Sequence, residues 1–275
     1  MQYQEKFIGY VDILGFEKLV EYSEKEIGMP LSELIELSKY LGTPNDVLKF
    51  KKYGPIICPE SYFINRDLDF KLTQISDCVI VSSEISPSGA INLVSHCWEA
   101  VLRLLQKGIM CRGYITRGSI YHTETQIIGS GYNKVISNEK TVKAFRRKAD
   151  EKGTPYVELD GAVCKFVKDC KDACVKEMFS RYVKDNGEDV ALFPFQQLSH
   201  SFIIAGLGTK FNPQKEKKSN HNMRLLIKKS KDRVIEFVDK SNPDAVRKLE
   251  HYIKALDDQL MACRKTDEII DKLSC

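Results

Sequence analysis

FIGYVDILGF, residues 7 to 16, is the stretch around which the rest of the chain is arranged. Phe7, Ile8 and Val11 are apolar, a single carboxylate stands at Asp12, and Ile13, Leu14, Gly15 and Phe16 follow. An unpaired carboxylate inside a buried strand costs several kcal/mol, so Asp12 belongs at a strand end or opposite a cation. Gly15 allows the backbone to turn sharply, and the Phe16, Leu19, Val20 spacing reads as the entry to a helix. The first amides of such a helix have no partner within it. They are free to hold phosphate oxygens beside a metal on Asp12.

A second carboxylate strengthens this reading. In FKLTQISDCVIVSSE, two β-type runs, Phe70 to Ile75 and Cys78 to Ser82, are separated only by Ser76 and Asp77, which predicts a hairpin with an acid at its tip. With that hairpin beside the first strand, Asp12 and Asp77 meet across neighbouring strands about 5 Å apart. Two converging carboxylates with no histidine nearby suit a hard cation, Mg²⁺ or Mn²⁺, completed by water and substrate phosphates.

The whole chain sets the class. Its 275 residues suit one large domain, or one domain with an extension, and 43% hydrophobic with 29% charged residues is ordinary for a globular protein. No segment has the apolar length of a membrane span and MQYQEKF lacks a secretory apolar core, so a cytoplasmic protein without a membrane partner is expected. A net charge of +4 is too small to argue for nucleic acid as the main ligand. Nine cysteines scattered through apolar runs read as reduced core residues, and the five histidines, His122 among them, form no metal-ligand spacing.

In chain order, a helix over Pro30 to Leu41 follows the first strand and helix, then an irregular, Pro/Gly-punctuated insertion from about 42 to 69. The acidic hairpin comes next. Ser88 to Lys107 has the apolar face of a helix, with Gly108 as its stop. CRGYITRGSIYH, 111 to 122, alternates as a strand that TETQIIG can return against. A helix over about Tyr132 to Lys152, a strand over Pro155 to Asp160 and one long helix over Ala162 to Val183 complete the pattern. Such an order predicts an α+β sheet with helices mainly on one face. Beyond it lie a strand at Ser201 to Ala205, a polar linker NPQKEKKSN and two helices, Asn222 to Lys240 and Pro243 to Leu273. The expected division is 1–215 for the catalytic domain and 216–275 for a helical extension, which caps the domain or pairs with a second copy.

Four motifs in this order resemble the class III nucleotide cyclases, the adenylate and guanylate cyclase catalytic domains. DILGF is similar to the family's first metal-aspartate motif. ISDCVIV is similar to the second, with Ser76 where the family usually has Gly. CRGYITRGSI, through Arg112, Ile115 and Gly118, and GSGYNKVISNEK, through Gly129 and Asn133, are similar to the two that follow. The resemblance implies a ferredoxin-like, palm-type sheet and a homodimer whose sites are completed across the interface. It implies two Mg²⁺ or Mn²⁺ ions on Asp12, Ile13 and Asp77, and triphosphate at Gly15 and Phe16. Catalysis would be by Asn133 and a positive charge, and the nucleoside triphosphate would be cyclised with loss of pyrophosphate.

Departures from the family pattern narrow the substrate. Where purine cyclases carry a Lys or Glu that reads the base, this chain has Thr73, and at the partner position it has Gln126. Short groups that donate and accept suit a pyrimidine edge, so the chain resembles the pyrimidine cyclases of bacterial Pycsar antiphage defence, which make cyclic UMP or cyclic CMP. The family's Arg four residues after Asn133 is Ser137 here. Either Arg117, Lys134 or Lys140 supplies the charge, or the chain is an inactive relative that binds nucleotide or a protein partner.

Overall fold

The computed structural model describes residues 1–53, 61, 67–198 and 211–273. Its elements run β1 (Gln4–Ile13), α1 (Phe16–Glu24), α2 (Leu31–Ser38), α3 (Pro44–Tyr53), β2 (Phe70–Ile75), β3 (Cys78–Glu84), α4 (Pro87–Gln106), β4 (Cys111–His122), β5 (Ile127–Ile128), α5 (Ser130–Glu139), β6 (Val157–Leu159), α6 (Gly161–Asp169), α7 (Ala173–Tyr182), β7 (Val183–Asp185), β8 (Val190–Leu192), α8 (Pro213–Phe237) and α9 (Pro243–Leu273). Contacts divide the chain into two compact units, Met1–Leu104 with Met110–Phe193, and Leu105–Ile109 with Pro194–Cys275.

The first unit is built on one sheet in the order β2-β3-β1-β4-β6-β8-β7, with β5 paired to β4. β1 lies antiparallel to both β3 and β4, and β2 is antiparallel to β3, which is the ferredoxin-like arrangement within an α+β fold. Strand β1 is central because Phe7, Ile8, Val11 and Ile13 are almost wholly buried, so the two faces of one strand bind two cores. On one face, Phe7 meets Phe166 of α6 edge-on, and Gly9 lies under Leu93 and Cys97 of α4. On the other, Ile8, Ile80 and Ile120 pack with Val135 of α5.

Several helices differ from their expected extent, each for a local reason. The expected helix over 132–152 stops at Glu139, because the Glu158 carboxylate accepts from the amides of Lys143 and Ala144 at 2.8 and 2.9 Å and holds that segment irregular. The single helix expected over 162–183 is two: Cys170 is extended, and Asp172 caps a new start by accepting from the Cys174 amide at 2.9 Å. Within the insertion read as irregular, Pro44–Tyr53 is helical, started by a Thr43–Asp46 cap in which the Thr43 amide donates to the carboxylate at 2.7 Å. The strand expected at Ser201–Ala205 lies outside the described residues.

In the second unit, α8 begins at Pro213, so NPQKEKKSN is helix rather than linker. Asn212 accepts from the Lys215 amide at 3.0 Å, and Pro213 is preset for the first turn. The partner is α9. Arg224 pairs with Asp267 at 2.6 Å and Lys231 with Asp257 at 2.6 Å, a descending register that makes α8 and α9 antiparallel.

Gly118 and Gly131 let α5 lie close to β4. A Cβ at Gly118 would stand 2.9 Å from the Gly131 Cα, a backbone atom that cannot yield. Gly118→Ala is therefore expected to destabilise the protein by about 1–3 kcal/mol. A thermal unfolding midpoint within ~1 °C of wild type would contradict this packing.

Candidate active site

Asp12 is the next-to-last residue of β1 and is only half-buried, so the strand delivers its carboxylate to the rim of the sheet. In the ladder its partner is Cys78, which places Asp77 of the β2–β3 turn beside it. The Ile13 amide donates to the Asp77 carbonyl at 3.0 Å and fastens the two acid-bearing corners together. Ser76, where the family usually has Gly, takes a left-handed backbone with φ 53°, as the turn demands.

Burial first, then the charge of Asp77 and that of Glu139, push the Asp12 carboxyl up to about 7. Arg112 and a hydrogen bond from the Tyr10 hydroxyl act in the opposite sense and do not outweigh them. Arg112 itself is committed to Glu139, a nearly buried ion pair between β4 and the end of α5. The corner thus holds more negative charge than the protein neutralises.

Residues 14 to 16 turn directly from this corner into α1. Gly15 has φ 78° and no side chain caps the helix; the Lys18 amide turns back to the Gly15 carbonyl at 3.1 Å, so among the described residues the amides of Phe16 and Glu17 are left for an outside partner. Phe16 is half-buried, and Glu17 is exposed, pointing away from the protein interior.

Other residues singled out from the sequence fall elsewhere. Arg117 is register-paired with Phe7, on the face opposite Asp12, and its guanidinium meets Glu5 at 3.3 Å. The structure therefore does not bring Arg117 to the two aspartates of its own chain. Asn133 is exposed in the first turns of α5. Lys134 is held at 2.5 Å by Asp160, and Ser137 turns its hydroxyl back to the Asn133 carbonyl at 2.8 Å. Lys140 is exposed at the end of α5.

Thr73 lies in one cross-strand row with Ile80, Tyr10 and Tyr114, on the same face as Asp12. Two strand spacings and two residue rises separate it from Asp12, about 12 Å. That is the scale of a nucleotide from base edge to phosphates. Gln126 is exposed in the β4–β5 turn, its amide and carbonyl both bonded to Thr123. The residue brought to Thr73 instead is His122, whose Nε2 lies 3.0 Å from the hydroxyl. Its Nδ1 lies 2.8 Å from the hydroxyl of the wholly buried Ser82. Sequence reading gave His122 no role. Only its parity with Thr116 and Ile120 along β4 hinted that it faces inward.

No protein-family model matches the chain, and no curated protein matches it in sequence. Among solved structures, the catalytic core of a rhodopsin-guanylyl cyclase with converted specificity, in complex with ATPαS, is similar over 62% of this chain and 83% of that one. The identity is 12% and the TM-score 0.37. A bacterial light-regulated adenylyl cyclase is similar over 70% of this chain, with 16% identity and a TM-score of 0.38, and the chain spans about half (52%) of its length. At that level of likeness the chemistry rests on the chain's own residues.

Those residues fit a divalent cation. Among the described residues no cluster of three or more His, Cys, Asp or Glu side chains is placed to enclose a metal. Mg²⁺ and Mn²⁺ need no such cage: one or two carboxylates, with phosphates and water, are their usual shell. The surplus negative charge at Asp12 and Asp77 suits an ion of that kind.

The raised pKa of Asp12 has a consequence for stability. Between the ordinary carboxylate range and about 7, the unfolded chain ionises this group while the folded chain keeps its proton. Stability therefore falls as pH rises through that window and is lowest above it. Asp12→Asn should raise the melting temperature of the metal-free protein at pH 8 by roughly 2–4 °C, and should give no gain at pH 4. A lower midpoint for the variant at pH 8 in EDTA would contradict the assigned charge balance.

Proposed function

We propose that the chain is a metal-dependent nucleotide cyclase that converts a pyrimidine nucleoside triphosphate, UTP or CTP, to its 3′,5′-cyclic monophosphate and pyrophosphate. The observation that carries this reading is the convergence of Asp12 and Asp77 beside the uncapped start of α1 at Gly15. Carboxylates for a cation and free amides for phosphate oxygens stand at one corner.

Asp12, Asp77 and the Ile13 carbonyl would hold two Mg²⁺ or Mn²⁺ ions, which when bound lower the pKa of the ribose 3′-hydroxyl and neutralise the triphosphate. The chain's own contribution is orientation. The first amides of α1 after the Gly15 turn would meet the phosphates, and Thr73, about 12 Å from Asp12 across the sheet, would meet the base. In the reaction the 3′-oxygen bonds to the α-phosphorus and loses its proton to solvent. The bond from that phosphorus to the bridging oxygen breaks, and pyrophosphate departs.

Asn133 is exposed on α5, and in a homodimer it would serve the site of the partner subunit. Of the basic residues that could replace the family Arg at Ser137, Lys134 is engaged by Asp160, while Lys140 is exposed with no ion pair among the described residues. The cyclic product would act as a signal, which under the Pycsar resemblance is an antiphage one. Ser137 favours a second reading, a relative that binds nucleotide without turnover, because its hydroxyl is spent on the helix backbone.

Incubation of the purified protein with each of the four NTPs and Mn²⁺, with products resolved by mass, tests the proposal. Cyclic UMP or cyclic CMP should form. Asp12→Asn and Asp77→Asn should each reduce turnover at least ~100-fold, about 3 kcal/mol of transition-state stabilisation. A clear preference for ATP or GTP would refute the pyrimidine reading. Binding without any product would favour the inactive relative, and full turnover in either variant would place the site elsewhere.

A further inference from the structure

Thr73, His122 and Ser82 form a chain of hydrogen bonds that runs from the buried centre of the sheet to its surface. Ser82 is wholly buried on β3, and the one hydrogen bond of its hydroxyl among the described residues is to His122 Nδ1 at 2.8 Å. His122 is 6% exposed, and its other nitrogen, Nε2, lies 3.0 Å from the Thr73 hydroxyl. Thr73 is half-buried, and its hydroxyl has no other hydrogen-bond partner among the described residues.

The direction of each bond follows from counting protons. A neutral imidazole has one N–H and one lone pair, so it donates to one hydroxyl and accepts from the other. Were Nδ1 the donor, the Ser82 proton would be left in the interior with no acceptor, a cost of about 1–3 kcal/mol. Ser82 therefore donates to Nδ1, the imidazole proton sits on Nε2, and Nε2–H donates to the Thr73 oxygen. One proton is left over, that of the Thr73 hydroxyl. It has no acceptor among the described residues, and Thr73 lies on the face that carries Asp12.

Burial keeps His122 neutral. Its pKa is lowered to about 4, first by desolvation and then by the charges of Lys6 and Lys71, against which Asp69 acts in the raising sense. Lys6 is itself buried and bonded to Asp69 at 2.5 Å, so this arrangement of charge is fixed.

We infer that His122 and Ser82 act as positioning residues that commit the Thr73 hydroxyl to donate, so that the base pocket selects a keto oxygen over an amino group. The inference rests on the cyclase reading for its substrate and resolves the choice left open there. Uracil presents a carbonyl at position 4 where cytosine presents an amino group, so UTP is preferred to CTP. A cytosine amino group could meet only the second lone pair of the Thr73 oxygen and would leave the hydroxyl proton unpaired, whereas the uracil carbonyl accepts it.

Two measurements test this. Imidazole ¹⁵N correlation spectra of the full chain at pH 7, with His122 identified by its loss in His122→Asn, should show a neutral ring protonated at Nε2. A ring protonated at Nδ1, or at both nitrogens, overturns the relay. In parallel, kcat/KM for UTP and CTP with Mn²⁺ should favour UTP at least ~10-fold. Thr73→Val, which keeps the shape and removes the hydroxyl, should bring the ratio toward one, and Thr73→Ser should restore it. A preference for CTP, or a ratio unmoved in Thr73→Val, overturns the base assignment. Absence of turnover with every nucleotide strikes the cyclase reading and not the relay, which the imidazole spectrum decides by itself.

Discussion

The meeting of two carboxylates, Asp12 and Asp77, at a corner where burial already disfavours charge is the constraint on which the proposed site depends. A protein that needed only stability would not bring two carboxylates together where desolvation already disfavours charge. Here the backbone enforces the meeting: the Ile13 amide bonds to the Asp77 carbonyl at 3.0 Å, and the β1–β3 ladder continues through Asp12 to its end. Burial first, and the Asp77 charge after it, push the Asp12 carboxyl up to about 7. A cation would relieve such a corner, and under the proposed function Asp12 and Asp77 are the residues that would hold it.

The surroundings are arranged so that this charge is not cancelled internally. Arg112 lies in the same cross-strand row as Asp12, yet its guanidinium is engaged by Glu139, nearly buried at the end of α5. Lys134 is likewise held by Asp160, which also caps α6 and accepts from Thr116 at 2.9 Å. Arg112, the cation that acts on Asp12, is thus tied to a structural carboxylate. Breaking either partly buried pair would leave a charge without its partner, which is costly in a way that breaking a surface pair is not.

Much of this could be read from residue order, and what could not depends on distant partners. The alternation in β1, the acid at the Ser76–Asp77 turn and the glycine at 15 are local signals, and each has a local structural effect. The end of α5 at Glu139 could not be foreseen, because the Glu158 carboxylate that captures the following amides lies on a strand 14 and 15 residues farther on. The break at Cys170 to Asp172 was written as a capping aspartate but hidden by continuous helical composition. NPQKEKKSN reads as a linker because its partners lie far along the chain on α9, where Asp271 pairs with Lys217 and Asp267 accepts from Asn220, 54 and 47 residues farther on. The contact of Thr73 with His122 joins residues 49 apart. It exists because a 12-residue strand coils far enough to carry its last residue over the sheet.

The central claim, that Asp12 and Asp77 form one cation site serving a nucleotide, is tested most directly by anomalous scattering at the manganese edge from crystals grown with Mn²⁺ and a non-hydrolysable UTP analogue. The account predicts anomalous density bridging the two carboxylates, with the triphosphate running to the start of α1 and the base reaching Thr73. Manganese bound elsewhere, or a nucleotide seated away from the Asp12 face, would contradict it.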